Sequence, residues 1–166
     1  FFTAWKSKME SFRLSGAGPS EELTPPLAVQ QSMTRLDEIM ATLDGSLAPK
    51  SAQQGQIAAI LEVILNPLLS LCDSMAAKAA TRLDAHIFLA NCIDAMRMPL
   101  AAYTFAAERV EQLALTADGH IDSYIRLASE TVLRRCGLAD RMRMLIEANK
   151  ARAKHDSGSV EEDQIH

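Results

Sequence analysis

Apolar residues recur at intervals of three and four along most of the chain, which is the spacing of one face of an α-helix. No segment alternates apolar and polar residues as a β-strand does. The pattern therefore predicts an all-α protein, an elongated bundle of about five to six helices. The rows are Phe2, Trp5, Met9 and Phe12; Val29, Met33, Leu36, Met40 and Leu43; Ile57, Ile60, Leu61, Ile64, Leu65, Leu68, Leu71, Cys72 and Met75; Leu89, Ile93, Met96, Leu100, Tyr103, Ala107 and Val110; Ile121, Ile125, Ala128 and Val132; and Leu138, Met142, Leu145 and Ile146.

Glycine and proline predict where these helices begin and end. The segment 14–19 holds two glycines and a proline and ends the first helix. Thr24-Pro25-Pro26 starts the second helix, because proline suits a first helical turn. Asp44-Gly45 ends it, and the segment 46–55 is predicted to be a loop. Asp84 is the expected N-cap of the fourth helix.

Three positions leave the helix path open. Pro67 either kinks the third helix or follows an Asn66 cap that starts a new one. Pro99 is expected to kink the fourth helix, whose apolar row continues to Val110. Asp118-Gly119 is either a turn or a pair that the helix passes through.

Composition suggests three parts. Residues 1–50 are predicted to form a helical pair with Gly/Pro loops, residues 51–153 the main helical bundle, and residues 154–166 a disordered acidic tail. The chain begins with Phe1, so we expect it to be a piece of a longer protein. The longest apolar run, from Ile57 to Cys72, is interrupted by polar residues and by Pro67, and we expect no membrane-spanning helix.

Charge and cysteine usage narrow the class of partner. The 166 residues carry a formal net charge of -4, whereas a protein that neutralises phosphates is usually basic, so we expect no nucleic acid partner. Cys72, Cys92 and Cys136 are odd in number, far apart and set among apolar residues. They are expected to be buried, reduced thiols in a cytosolic setting.

No chemistry-bearing motif is present. His86, His120, His155 and His166 stand apart from one another, and His86 and His120 are expected to be ordinary helix-end or surface residues. The adjacent pairs Asp37-Glu38 and Glu21-Glu22 point in different directions on a helix. We therefore assign no catalytic, cofactor-binding or metal-ligating residue, and predict that the chain is not an enzyme.

A basic cluster near the end of the chain holds seven of the 17 basic residues. It surrounds Gly137, which is expected to end a helix at the C′ position after two arginines. The cluster fits a solvated helix face, and it also fits contact with an anionic membrane or an acidic partner. Its members are Arg134, Arg135, Arg141, Arg143, Lys150, Arg152 and Lys154.

Several segments, in order and with few gaps over roughly residues 57–149, resemble the family of the sixth subunit of the conserved oligomeric Golgi complex. Met98-Pro99 departs from the family's pattern. The segments are Ile64–Cys72 (ILNPLLSLC), Phe88–Cys92 (FLANC), Leu100–Phe105 (LAAYTF), Glu108–Leu113 (ERVEQL), His120–Ile125 (HIDSYI) and Gly137-Leu138.

The resemblance implies a section of a helical-rod subunit in a multisubunit Golgi tether. It implies a non-catalytic role in intra-Golgi retrograde vesicle transport, as a peripheral protein on the cytosolic side of the Golgi membrane. The implied partners are sister subunits of the complex and the membrane-fusion proteins of vesicle and Golgi. Two other classes stay open: an all-α regulatory domain with a small ligand between helices, and an enzyme whose active site lies outside this chain.

Overall fold

The computed structural model describes residues 16–45 and 50–158, and only the backbone of 50–54, 56 and 151–158. These residues form five α-helices and one 3-10 turn, with no strand among them, which confirms the all-α class. The helix predicted over residues 2–12 lies outside the described residues. The helices are α1 (Leu27–Asp44), α2 (Lys50–Ala76), α3 (Arg82–Leu100), α4 (Ala107–Arg135) and α5 (Ala139–Gly158), and the 3-10 turn Thr104–Ala106 precedes α4.

Helix α1 begins and ends where the sequence predicts. Pro26 is the residue before the helix, in an extended conformation, and its carbonyl accepts the N–H of Val29 at 2.9 Å. The predicted apolar row faces the core from Val29 to Met40, and Gly45 follows the last residue.

Helix α2 corrects one expectation and excludes one of the two alternatives left open at Pro67. It begins at Lys50, inside the predicted loop 46–55, and includes Gly55. One glycine costs a helix about 1 kcal/mol, which the buried apolar face that follows outweighs. The helix also runs without a break through Pro67, so Asn66 does not cap a second helix.

The N-cap of helix α3 lies three residues before the expected one. Its N-cap is Thr81, whose side-chain oxygen accepts the backbone N–H of Asp84 at 3.0 Å and donates to the Asp84 carboxylate at 2.7 Å. The prediction that Asp84 is the N-cap is therefore wrong. Asp84 instead lies in the first helical turn, where its negative charge is favourable next to the positive end of the helix dipole.

The predicted single kinked helix around Pro99 is two helices. α3 includes Pro99 and ends at Leu100, where the N–H of Ala101 bonds to the carbonyl of Arg97 at 3.1 Å. Tyr103 is extended, with φ −112° and ψ 117°, and the 3-10 turn then leads into α4.

Helix α4 passes straight through Asp118-Gly119 and ends at Arg135. Gly137 has a φ of 67°, a left-handed conformation that favours glycine. Its N–H bonds to the carbonyl of Arg134 at 3.1 Å, and the N–H of Leu138 bonds to that of Leu133 at 2.9 Å. This is the hydrogen-bond pair of a Schellman motif, which confirms Gly137 at the C′ position.

The chain divides into two compact units, residues 1–124 and residues 125–166. In unit 1, α1 packs on α2 and α3, α2 packs on α3, and the 3-10 turn packs on α2. Phe88 and Met96 are among the largest side chains that are fully buried. Each fully buried side chain of this size contributes about 1.5–3 kcal/mol to folding.

Polar contacts join segments of unit 1 that are distant in sequence. The amide of Asn91 donates to the carbonyl of Leu23 at 3.0 Å. The guanidinium of Arg109 donates to the side-chain oxygen of Asn66 at 2.7 Å, and so joins α4 to α2. Such contacts fix the register of helices that are otherwise held by non-directional burial.

A segment of α2, Ile57–Ala76, is long and apolar enough to cross a membrane by length and composition, contrary to the sequence expectation. Its mean hydropathy is 1.6. One face of this segment lies in the core of unit 1, where Ile57, Leu65 and Leu68 are almost fully buried. We assign it as a core helix, because a buried helix of a folded domain meets the same criterion.

Unit 2 has no buried residue among those whose side chains are described. It holds the last turns of α4 and the whole of α5, which runs to Gly158 and so includes the first residues of the predicted tail. The division predicted from composition stays a prediction.

Candidate interaction surfaces

One apolar face of α4 is covered at its start and uncovered further along. Within unit 1, Leu113 is 2% exposed and Ala117 is 7% exposed. The same helical face continues with Ile121, Ile125 and Val132, which are 45%, 55% and 58% exposed. The apolar pattern of α4 therefore extends beyond the part of the helix that other helices cover.

We call Ile121, Ile125, Ala128 and Val132 the exposed row. Its steps of four, three and four residues are those of a helix that packs lengthwise against another helix. Single exposed apolar residues are common on protein surfaces, but a row at this spacing on one helix is the pattern of an interaction site. The sequence predicted the row, and the structure leaves Ile121, Ile125 and Val132 exposed and the small Ala128 half-buried.

Helix α5 exposes a second set of apolar residues. Met142 is 43% exposed and Leu145 is 64% exposed, and Leu138 and Ile146 are comparably accessible. Within unit 2, a cavity of about 840 Å³ is open to solvent beside this helix. Leu133, Met142 and Ile146 supply its apolar lining.

The basic cluster predicted from sequence lies on α4 and α5, and its members up to Lys150 are exposed. Arg143 forms an ion pair with Asp140 one turn away. Arg134, Arg135, Arg141 and Lys150 form no ion pair with any residue whose side chain is described. The positive charge of these four residues is therefore not neutralised by a neighbouring carboxylate.

His86 and His120 meet across unit 1, although 34 residues separate them in the chain. Their Nδ1 atoms are 3.2 Å apart and both rings are half-buried. Burial lowers the pKa of His120, the positive charge of a protonated His86 lowers it further, and the carboxylate of Asp73 opposes the shift. The expectation that these are isolated helix-end or surface residues is therefore wrong.

The cysteines are free thiols, and two of the three have the predicted burial. Cys72 and Cys92 are fully buried in the core, where a hydrogen bond with Cys72, followed by burial, raises the pKa of the Cys92 thiol. Cys136 is exposed, contrary to the expectation, because it lies at the end of α4 where no helix of unit 2 covers it.

The carboxylate pairs found in the sequence do not converge. Glu21, Glu22 and Glu38 are exposed, and Asp37 accepts a hydrogen bond from the hydroxyl of Tyr103 at 2.8 Å. That bond raises the pKa of Tyr103. In the described part of the chain, no group of three or more His, Cys, Asp or Glu side chains is placed to hold a metal ion.

Unit 1 has a cavity of about 360 Å³ that is open to solvent. It lies against the start of α4, where Arg109 and Gln112 are hydrogen-bonded to each other. A small-ligand site needs a few convergent polar groups that are free to bind. Arg109 and Gln112 bond to each other and Arg109 also bonds to Asn66, but the Nε of Arg109 is buried without a hydrogen-bond partner among the residues that the structure describes. One polar group of the lining is therefore free to bind.

The chain matches the family model described as "Conserved Oligomeric Golgi complex subunit 6, C-terminal" over residues 1–165. The chain belongs to this family. The match extends beyond residues 57–149, the part of the chain in which the sequence segments resemble the family.

Relatives across eukaryotes carry the same name. The chain is 32% identical to "Conserved oligomeric Golgi complex subunit 6" of Rattus norvegicus over 121 residues, 73% of this chain and 18% of that protein. The corresponding protein of Homo sapiens gives the same identity and coverage. That of Arabidopsis thaliana is 22% identical over 180 residues, 87% of this chain and 26% of that protein.

The chain spans about a fifth of the length of the mammalian relatives that it matches. No solved structure matches it. The chain therefore belongs to the family of a subunit of the conserved oligomeric Golgi complex, of which it is one section.

Segments that carry the family resemblance have identifiable roles in the subunit 6 fold. Ile64–Cys72 lies in the second half of the core helix α2. Asn91, in the segment FLANC, holds Leu23 in a left-handed conformation with a φ of 53°. His120, the first residue of the segment HIDSYI, contacts His86, and Gly137 follows the end of α4.

Proposed function

We propose that this chain is part of a non-catalytic subunit that acts in intra-Golgi retrograde vesicle transport through protein–protein binding. The observation that carries the proposal is the exposed row of α4, found in a chain of the subunit 6 family. A tether needs surfaces that other helices can cover, and this row has the spacing and exposure of such a surface.

The core argues for the same role. The buried residues of unit 1 come from α1, α2, α3 and the start of α4. Among them, Cys72, Phe88 and Leu100 are each 0% exposed. A helical core packed in this way can keep binding surfaces at fixed positions along a rod-shaped subunit. The chemistry of binding then lies on the outside of the helices, where Ile125 and Val132 are exposed.

The proposed partners are sister subunits of the conserved oligomeric Golgi complex and the membrane-fusion proteins of vesicle and Golgi. The proposed location is peripheral, on the cytosolic face of the Golgi membrane. Free thiols in the described part of the chain fit a reducing compartment. The exposed arginines and Lys150 of unit 2 fit attraction to acidic partners.

A binding experiment with the full-length protein tests the proposal. The protein is expressed in cells as wild type and as Val132→Asp, and is affinity-purified to measure recovery of the sister subunits. The charge would have to be desolvated against an apolar partner helix, so we expect at least about a 30-fold loss of affinity at that contact. Leu115→Asp is the matched control, because Leu115 is on the same helix and is 67% exposed.

The outcomes separate clearly. Recovery of sister subunits with the wild type supports the proposed function, and its loss in Val132→Asp but not in Leu115→Asp supports the exposed row as the binding surface. Failure of the wild type to recover sister subunits would overturn the proposed function. Equal recovery with both variants would remove the exposed row from it.

A further inference from the structure

Helix α5 carries an apolar stripe along one side. At 3.6 residues per turn, Leu138, Met142, Leu145 and Ile146 fall within about 100° around the helix axis. The N–H of Met142 bonds to the carbonyl of Leu138 at 3.0 Å, so Leu138 is held at the head of this helix. All four side chains are exposed, from 43% to 64%.

Positive side chains lie along both edges of the stripe. Arg141 follows one edge, and Arg143 and Lys150 follow the other, each about 100° or less from Met142 around the axis. Arg141 and Lys150 have no carboxylate partner among the described side chains. Their stems can lie along the apolar stripe while their charges remain in water.

Negative side chains lie on the far side of the helix. Asp140 and Glu147 are about 140–160° from Met142 around the axis, and both are exposed. Residues 125–150 hold six basic and three acidic residues, whereas the whole chain has a formal net charge of -4. Positive charge is thus in excess in residues 125–150, and three of the six basic residues, Arg141, Arg143 and Lys150, lie beside the apolar stripe of α5.

We propose that α5 binds an anionic lipid surface. The helix would lie in the plane of the interface, with Leu138, Met142, Leu145 and Ile146 at the boundary between headgroups and acyl chains. Arg141 and Lys150 would reach the lipid phosphates on the two sides, while Arg143 is paired with Asp140. This inference rests on the proposed peripheral membrane association and names the surface that would provide it.

The arrangement favours a lipid surface over an acidic protein helix. A partner helix is recognised by a narrow seam with charges that alternate along its flanks. On α5, Arg141 borders one edge of the stripe and Lys150 the other, and neither has a carboxylate partner among the described side chains, which suits a uniformly negative surface. The exposed row of α4 lacks this border, since its neighbours Asp122 and Arg126 have opposite charges.

Vesicle binding by the purified full-length protein tests the inference. Co-sedimentation is measured with phosphatidylcholine vesicles and with phosphatidylcholine vesicles that contain phosphatidylserine. The wild type is expected to bind the anionic vesicles, less so as salt is raised, and to leave the neutral ones unbound. The double variant Arg141→Gln, Lys150→Gln is expected to bind about 30-fold more weakly.

Two further variants complete the test. Arg35→Gln, Lys78→Gln removes the same charge from exposed positions of unit 1 and is expected to bind like the wild type. Leu145→Asp places a charge within the stripe and is expected to abolish binding without a change in helix content. An unaffected Leu145→Asp protein would show adsorption by charge alone and would overturn the inference.

Failure of the inference is distinct from failure of the proposed function. Absence of vesicle binding by a wild-type protein that still recovers its sister subunits would overturn the lipid surface alone. The Arg141→Gln, Lys150→Gln variant could instead keep vesicle binding and lose binding of the sister subunits. The surface would then belong to an acidic protein partner, and the inference would be wrong.

Discussion

At the scale of the residue, the three thiols differ in their surroundings. Cys72 and Cys92 are fully buried in the core, and their contact and burial raise the pKa of Cys92, so little thiolate forms there. Cys136 is exposed at the end of α4. Reactivity with an alkylating agent should therefore divide the thiols into one accessible and two protected groups.

We expect the native chain to take up one maleimide rapidly, at Cys136, and two more only after unfolding. Mass spectrometry of the alkylated protein over time gives the count. Cys136→Ser is expected to remove the rapid step while leaving the slow one intact. Rapid modification of Cys72 or Cys92 in the folded protein would contradict the assigned burial.

The histidine pair gives a second prediction, in the dependence of stability on pH. The pKa of His120 is lowered below its usual 6.5, so the unfolded chain binds a proton at a pH where the folded chain does not. Its contribution to stability is fully present above pH 6.5 and is lost as the pH falls from 6.5 towards the lowered value. Acidification in that window should therefore destabilise the fold.

Urea denaturation at a series of pH values measures this effect. The wild type is expected to lose stability as the pH falls below about 6.5, and His120→Gln to lose less, since glutamine does not titrate. Glu38→Gln, at an exposed position of α1, serves as the control for removal of an unrelated titratable group. A pH dependence in His120→Gln equal to that of the wild type would assign the acid sensitivity elsewhere.

At the scale of the element, the start of α3 shows what a sequence pattern resolves. Thr81 and Asp84 are both acceptable N-cap residues, and the apolar row that begins with Leu89 does not choose between them. Which of the two caps the helix depends on whether the residues from Arg82 to Asp84 are helical. Hydrogen bonds between Thr81 and Asp84 satisfy the first turn and settle the boundary at Arg82.

Substitutions at this boundary test which residue caps the helix. Thr81→Ala is expected to lower the free energy of unfolding by about 1 kcal/mol, because the N–H of Asp84 loses its acceptor. Thr81→Ser retains the hydroxyl and is expected to restore most of the stability. Urea denaturation followed by circular dichroism gives the values. A larger loss in Asp84→Ala than in Thr81→Ala would restore Asp84 as the cap.

The apolar rows predicted most of the helices and the core but not what covers each row. Leu36, Leu68 and Met96 were assigned to apolar faces from spacing alone, and all are fully buried. Ile125 and Val132 have the same spacing and are exposed, because burial depends on which helices lie opposite and not on the row itself. The break after Pro99 and the meeting of His86 with His120 likewise depend on tertiary contacts.

At the scale of the whole molecule, the two units differ in how much they bury. Every buried side chain among those described lies in unit 1, and the described side chains of unit 2 are half-buried or exposed. Local opening costs less where few apolar contacts must be broken. The two units are therefore expected to differ in how readily their backbone amides open to solvent.

Hydrogen exchange followed by mass spectrometry measures this difference and connects it to binding. In the isolated full-length protein, amides of α2 and α3 are expected to exchange slowly, and amides of residues 125–150 to exchange at least about tenfold faster. When sister subunits bind the exposed row, Ile125–Val132 should become buried and their amides protected, while those of α2 should change little. Uniform protection of both units before assembly would contradict the assignment of an uncovered unit 2. Val132→Asp provides the control. It should leave exchange in the isolated protein unchanged and remove the protection that assembly adds, because only the contact with the partner requires an apolar side chain at this position.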